Sequence, residues 1–253
     1  MEVKFLISVI GLMGIPEVYE GDDIAGLISN AAKKQGITIE SGDIIVVTHK
    51  IVSKSEGRII NINKVVPSAF SNQISKSSKK DPRYIEIVLN ETKRIVKMIG
   101  RHLITETKQG LVCANAGIDR SNVSQEENVA LLPKDPDISA LNMREKIKEL
   151  TGSEVVVIIS DTFGRPWRKG QINIAIGVSG MIPLKDYRGK KDIFGNTLSV
   201  SNIAIADEIA SAAELVMNKV DGIPVAIIKG YDYPKGEGDS KDLIRSSRRD
   251  LFA

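Results

Sequence analysis

The chain has 253 residues, 42% of them hydrophobic, enough for one large domain or two small ones with an ordinary globular core. Lys and Arg (35) nearly balance Asp and Glu (32), and a net charge of +3 gives no argument for nucleic acid as a partner while leaving room for a small acidic ligand. The single cysteine, Cys113, excludes an internal disulfide framework and a cysteine-rich zinc site and points to a reducing compartment, so a cytoplasmic location is expected. Met1–Ile10 carries Glu2 and only a short apolar run, unlike a signal peptide, and no stretch approaches the length of a membrane span.

Val3–Ile10 reads as a buried strand ending in the turn-rich Gly11–Pro16; Asp22 or Asp23 can then cap a helix with Ile24, Leu27, Ile28 and Ala31 on one face, stopped by Gly36. Asp43–Thr48 is a β-branched run and Gly57–Ile62 another short strand, so Thr48–Lys54 is expected as a connection. Pro67 and Pro82 each mark a helix opening, the second followed by Ile85, Val88, Leu89, Ile95 and Met98 at helical spacing. Leu103–Thr107 and Leu111–Ala114 pair as strands across Gln109-Gly110 and lead into the polar segment Asn115–Val123. A helix is expected over Asp137–Leu150, closed by Gly152, then an unbroken apolar strand over Glu154–Ser160, with Asp161 where it ends. Beyond a second turn-rich segment, Ser201–Asn218 reads as an Ala-rich helix, Ile223–Lys229 as a strand, and the tail from Asp239 as a charged helix or frayed end. Irregular alternation with hairpin-like pairs indicates a mixed α+β fold with largely antiparallel sheets.

Two segments concentrate polar residues that ordinary turns do not need: Asn115-Ala-Gly-Ile-Asp-Arg-Ser-Asn122 and Ser160-Asp-Thr-Phe-Gly-Arg-Pro-Trp-Arg168. A divalent cation bridging nucleotide phosphates is held by one or two carboxylates and a hydroxyl, which Asp119, Asp161 and Thr162 would supply. An Asx-turn at Asp119 and a cap at Asp161-Thr162 explain either motif alone more simply; taken together the two readings stand level. Neither a Gly-x-x-x-x-Gly-Lys-Ser/Thr loop nor a Gly-x-Gly-x-x-Gly fingerprint is present, which disfavours the P-loop and Rossmann folds. Lys50, Lys54, Arg165 and Arg168 are candidate anion-binding charges, each also explicable as a solvated surface group. His102 is expected to be structural, Cys113 a buried inert thiol, and Asp207, Glu208 and Glu214 capping or charge-balancing groups.

At these two segments the chain resembles the coenzyme F(420)-0:L-glutamate ligase family, the γ-glutamyl ligases of deazaflavin biosynthesis. The resemblance spans nearly the whole chain and is carried by Gly21-Asp-Asp23, Val52-Ser-Lys-Ser-Glu-Gly-Arg58, Lys80-Asp-Pro-Arg83, Val112-Cys-Ala-Asn-Ala-Gly-Ile-Asp-Arg-Ser-Asn-Val123, Leu131-Leu-Pro-Lys-Asp-Pro-Asp137, Ser160-Asp-Thr-Phe-Gly-Arg-Pro-Trp-Arg168 and Ala206-Asp-Glu208. It implies a family-specific fold and a single catalytic unit over residues 1–253, divisible into two intertwined subdomains with the active site between them. It implies GTP-dependent addition of L-glutamate to coenzyme F(420)-0 through an acyl phosphate, with Mg²⁺ or Mn²⁺ at two positions, K⁺ as activator, and a homodimer with no nucleic-acid or membrane partner. Carried over position by position, Asp119 and Asp161 match ligands of one metal and Thr162 a contact to a second. His49, Lys50, Lys54 and Asn122 match nucleotide contacts, as do the loops Ile15-Pro16-Glu17-Val18 and Met217-Asn218-Lys219-Val220-Asp221-Gly222-Ile223. The latter loop is less glycine-rich than the family pattern, which opens the nucleotide preference to change. Two other readings share these features: a non-catalytic binder of a deazaflavin or nucleotide, and a related ligase acting on a different acidic cofactor.

Overall fold

A computed structural model describes residues 6–123 and 127–246. In chain order it forms β1 (Ser8–Gly11), α1 (Ile24–Lys34), β2 (Ile44–Thr48), α2 (His49–Ser55), β3 (Ile59–Asn61), α3 (Ala69–Ser78), α4 (Pro82–Asn90), β4 (Thr92–Ile99), β5 (His102–Thr107), β6 (Val112–Ala114) and β7 (Asn128–Ala130). There follow α5 (Pro136–Thr151), β8 (Val156–Arg165), β9 (Arg168–Ser179), β10 (Leu184–Asp186), β11 (Asn202–Ala204), α6 (Ile205–Met217) and β12 (Val225–Lys229). The chain divides into two discontinuous units: Met1–Glu17, Asp23–Thr48 and Pro136–Leu243 in one, Val18–Asp22, His49–Asp135 and Ile244–Ala253 in the other.

The first unit is built on a five-stranded sheet in the order β1-β12-β2-β8-β9, parallel only between β2 and β8. Ile44–Val47 and Val156–Ile159 are fully buried, so both faces of the central strands must be covered, which is why these runs do not alternate with polar residues. Alternate residues Ile44, Val46, Val156, Ile158, Ala226 and Ile228 pack with Ile209, Ala210, Ala213 and Met217 of α6. The small alanines let that helix lie close to the sheet. Helix α5 packs on β8 and β9, and α1 packs on α5. Gly177 of β9 permits this approach, because a Cβ there would lie 2.4 Å from the Pro136 carbonyl oxygen. Helix α1 is capped by Asp23, whose side chain accepts from the Gly26 N–H.

The second unit holds the antiparallel sheet β4-β5-β6 and the β3–β7 ladder. Its core joins Ile62, Tyr84, Ile87, Val88, Leu103, Ala116, Ile118, Val129 and Leu131. Ser68 and Asp81 cap α3 and α4, one residue beyond Pro67 and one before Pro82. The architecture is mixed α+β, as the sequence pattern indicates.

Three stretches differ from the sequence expectation, and a fourth takes a form it left open. The expected connection Thr48–Lys54 is helical: α2 starts directly after β2 and leads to β3, with His49, Ile51 and Val52 buried. It ends in a turn where Gly57 adopts φ 65°, the Gly57 N–H donates to Lys54 O and the Arg58 N–H to Ser53 O. Ile95 and Met98 belong to β4 rather than to a continued helix, because Lys93 and Arg94 reach across to Glu106 of β5 and the segment pairs with that strand. The strand after Gly152 does not stop at Ser160 but runs to Arg165 and pairs with β9, so Asp161 and Thr162 lie within a hairpin. Of residues 201–204, Asn202–Ala204 form β11, and the helix begins only at Ile205. Strand β1 covers Ser8–Gly11; of the expected Val3–Ile10, residues 3–5 lie outside the described residues, as does the tail beyond residue 246. Cys113 is half-buried on β6 rather than enclosed, and His102 is exposed at the start of β5.

Candidate functional site

In the second unit α2 presents Lys50 and Lys54 while His49 is 1% exposed, its Nδ1 3.4 Å from Ser53 Oγ. Lys50 Nζ lies 2.9 Å from Asp119 Oδ2. Ser121 donates its N–H to Asp119 Oδ1 at 2.8 Å and its hydroxyl to Oδ2 at 2.9 Å, so Asp119 does close an Asx-turn. Its backbone is pinned by reciprocal hydrogen bonds with Ala130. Burial alone would raise the Asp119 pKa, but the Ser121 N–H, the Lys50 ammonium and the Ser121 hydroxyl outweigh it and hold the carboxyl below its ordinary value. The result is a half-buried anion fixed in direction, and the two expected residues Lys50 and Asp119 are brought together. Asn122 is exposed with φ 54°, and Val18 is buried at 2% exposure.

Beside this turn, residues from two of the quoted motifs form a cationic cluster that local pattern did not bring together. The Arg120 guanidinium stacks 4.6 Å from the Tyr84 ring centre, and Lys80 Nζ donates to Asn115 Oδ1 at 2.6 Å. Burial, then repulsion from Arg101 and Arg120, lowers the Lys80 pKa. Tyr84 donates to the Ile118 carbonyl at 3.3 Å, and burial pushes its phenol up to about 12. The sequence signals were Lys80 in the Lys80-Asp-Pro-Arg83 motif and Asn115 and Arg120 in the polar segment Asn115–Asn122, while Arg101 lies on a different turn.

In the first unit the β8–β9 hairpin sets Thr162 opposite Asn173 and Asp161 opposite Ile174. Asp161 Oδ1 accepts from the Thr162 N–H at 2.6 Å. Thr162 Oγ1 donates to Asn173 Oδ1 at 2.8 Å, and Asn173 Nδ2 donates to Glu214 Oε2 of α6 at 2.8 Å. Into this group comes Lys219, whose Nζ lies 2.5 Å from Thr162 Oγ1, 3.1 Å from Glu214 Oε1 and 3.4 Å from Asn173 Oδ1. Asp207, at the start of α6, accepts from the Ala175 N–H of β9 at 2.9 Å, and burial raises its pKa. That contact explains its place better than helix capping does. Met217, the last residue of α6, is buried; in the loop that follows, Asn218 (φ 51°) donates to Asp221 at 2.8 Å, and Val220 is 90% exposed. Ile15, Pro16 and Glu17 form a partly exposed segment without regular structure, and Gly222 and Ile223 lead into β12. Asn173 was invisible in the sequence because β9 was; its alternation with Ile172 and Ile174 was the one available signal.

No group of three or more His, Cys, Asp or Glu among the described residues forms a ready-made metal centre. Asp119 has the chemistry a hard divalent cation requires, an ionised oxygen donor in a fixed orientation, and fits a shell completed by phosphate and water. The oxygens at Thr162 also suit a hard cation, but they surround an ammonium, so Thr162 does not fit a second metal in this arrangement.

A family model described as F(420)-0:gamma-glutamyl ligase matches residues 13–230. The coenzyme F(420):L-glutamate ligase of Methanocaldococcus jannaschii is 49% identical over 215 residues, covering 85% of this chain and 86% of that protein. That of Methanothermobacter thermautotrophicus is 44% identical over 250 residues, 97% of this chain and 98% of that protein. That of Methanopyrus kandleri is 42% identical over 241 residues, 93% of each. Among the described residues no helix is long and apolar enough to cross a membrane.

Proposed function

Since the chain belongs to the F(420)-0:gamma-glutamyl ligase family, we propose that it joins L-glutamate to coenzyme F(420)-0 in a GTP-dependent reaction. A carboxylate is a poor acylating agent, so the phospholactyl carboxylate oxygen first takes the γ-phosphoryl group of GTP, releasing GDP. The glutamate amine then attacks the acyl carbon, loses a proton, and expels phosphate as the amide forms. Further glutamates would be added through the γ-carboxyl by the same two steps.

The chain's own residues supply binding and charge. Lys50 and Lys54 on α2 give fixed positive charge for phosphate oxygens, and Lys50 also orients Asp119. Asn122 and the loops Ile15–Val18 and Met217–Ile223 are the proposed remaining nucleotide contacts. Asp119 and Asp161 would hold Mg²⁺ or Mn²⁺, which when bound supplies charge neutralisation on the transferred phosphoryl. We extend the proposal to K⁺ as activator, to a homodimer, and to a cytoplasmic setting. The observation that carries the reading is the fixed Lys50–Asp119 pair in a chain that matches the family from residue 13 to 230.

The test is GDP release with mass spectrometry of the deazaflavin product. Release should require GTP, Mn²⁺, L-glutamate and F(420)-0 together; GDP formed without a glutamylated product, or no GDP at all, sinks the ligase reading. Offering other acidic cofactors in place of F(420)-0 separates this enzyme from a related ligase. Asp161→Asn should lower turnover at least about a hundredfold with an unchanged circular dichroism spectrum, because a neutral amide is a weaker ligand for a hard cation. Wild-type turnover in that variant would remove Asp161 from the site.

A further inference from the structure

Lys219 stands two residues beyond the end of α6, where buried Met217 anchors the helix and Asn218 turns the chain with φ 51°. From there its side chain folds back onto the last helical turn. The carboxylate of Glu214 is poorly placed near the negative end of a helix, and a cation there is favoured by both the dipole and the acid. Oxygens of Thr162, Asn173 and Glu214 lie 2.5, 3.4 and 3.1 Å from the ammonium nitrogen. The same oxygens are the ones a hard cation would use at Thr162. They are held independently of Lys219: Asn173 is 4% exposed, its amide is fixed to Glu214, and Ser211 Oγ donates to its carbonyl at 2.7 Å.

We propose that the Lys219 ammonium is a built-in cation that takes the position expected for a second metal at Thr162, so that this chain binds one divalent ion fewer than that expectation implies. A divalent ion and an ammonium cannot share these oxygens, since the ion would sit within bonding distance of the same atoms and be repelled by the fixed charge. The arrangement gives the loop after α6 a function that its exposed residues alone do not suggest. A single tethered charge replaces a double, exchangeable one, and its position is set by the fold rather than by metal concentration. This inference rests on the ligase reading for what the charge is used for, but its structural content does not depend on turnover.

The experiment counts bound Mn²⁺ by electron paramagnetic resonance in the full-length protein saturated with GDP. Lys219→Ala should bind one more Mn²⁺ per chain than wild type, and Lys219→Ala/Glu214→Gln should return to the wild-type count. An equal count in wild type and Lys219→Ala overturns the proposal, as does an added ion that survives the Glu214→Gln change. A product assay on the same samples keeps the two readings apart. Glutamylated product with no difference in count removes only the role of Lys219, whereas the expected difference without product removes only the ligase reading.

Discussion

Arg58→Met should destabilise the protein by about 3 kcal/mol, and the structure indicates where that loss arises. Arg58 Nη2 lies 2.6 Å from Glu91 Oε2, with the two side chains 16% and 11% exposed, and Arg58 Nε donates to the Leu132 carbonyl at 3.1 Å. Removing the guanidinium leaves Glu91 as a buried anion at the C-terminal cap of α4, where the helix dipole also opposes it. Breaking such a pair costs about 3–5 kcal/mol, and a carbonyl left without a donor adds about 1–3. Lys108 Nζ, 3.6 Å from Glu91 Oε1 and 59% exposed, can swing closer and offset part of this, which brings the expectation below the summed costs to about 3 kcal/mol. The double variant Arg58→Met/Glu91→Gln should recover about 2 kcal/mol of the loss, because the stranded charge is gone. Urea unfolding followed by circular dichroism gives both numbers. A single variant within about 0.5 kcal/mol of wild type would refute the reasoning. The effect should extend to α2, because the Arg58 N–H donates to Ser53 O at 2.8 Å and Arg58 O accepts from the Leu131 N–H at 3.0 Å.

Two further outcomes test the packing and the protonation states. Gly177→Ala should lower stability by about 1–3 kcal/mol, because its Cβ would meet Pro136 backbone atoms at 2.4 and 2.6 Å and α5 would have to move; an unchanged melting temperature would show that α5 does not rest on β9 there. Tyr84, pushed up to about 12 chiefly by burial, keeps its proton in the folded state after the unfolded chain has lost it. Its contribution is therefore fully present below about pH 10 and is lost as pH rises towards 12. Tyr84→Phe should flatten the alkaline fall in stability across that window, and an identical slope in the two proteins would contradict the burial argument.

The sequence alone determined which segments fold and which family they belong to. Asp23, Ser68 and Asp81 cap helices where short polar side chains precede apolar periodicity, and the β2 and β8 runs are apolar on both faces because they are central strands. These are local properties, set by propensity and by the few residues on either side. The tertiary structure decided what depends on residues distant in the chain. Strand β9 takes shape only by pairing with β8, so neither the hairpin that carries Asp161 and Thr162 nor the Asn173 amide opposite it could be read from local pattern. The Lys219 ammonium reaches Thr162, 57 positions away, because α6 and the hairpin pack together, and Lys50 meets Asp119 because the pinning of Asp119 to Ala130 brings a turn beside α2. Residue types at these positions set the available chemistry; only the packing sets which charges face each other, because electrostatic pairing depends on distance in space and not along the chain.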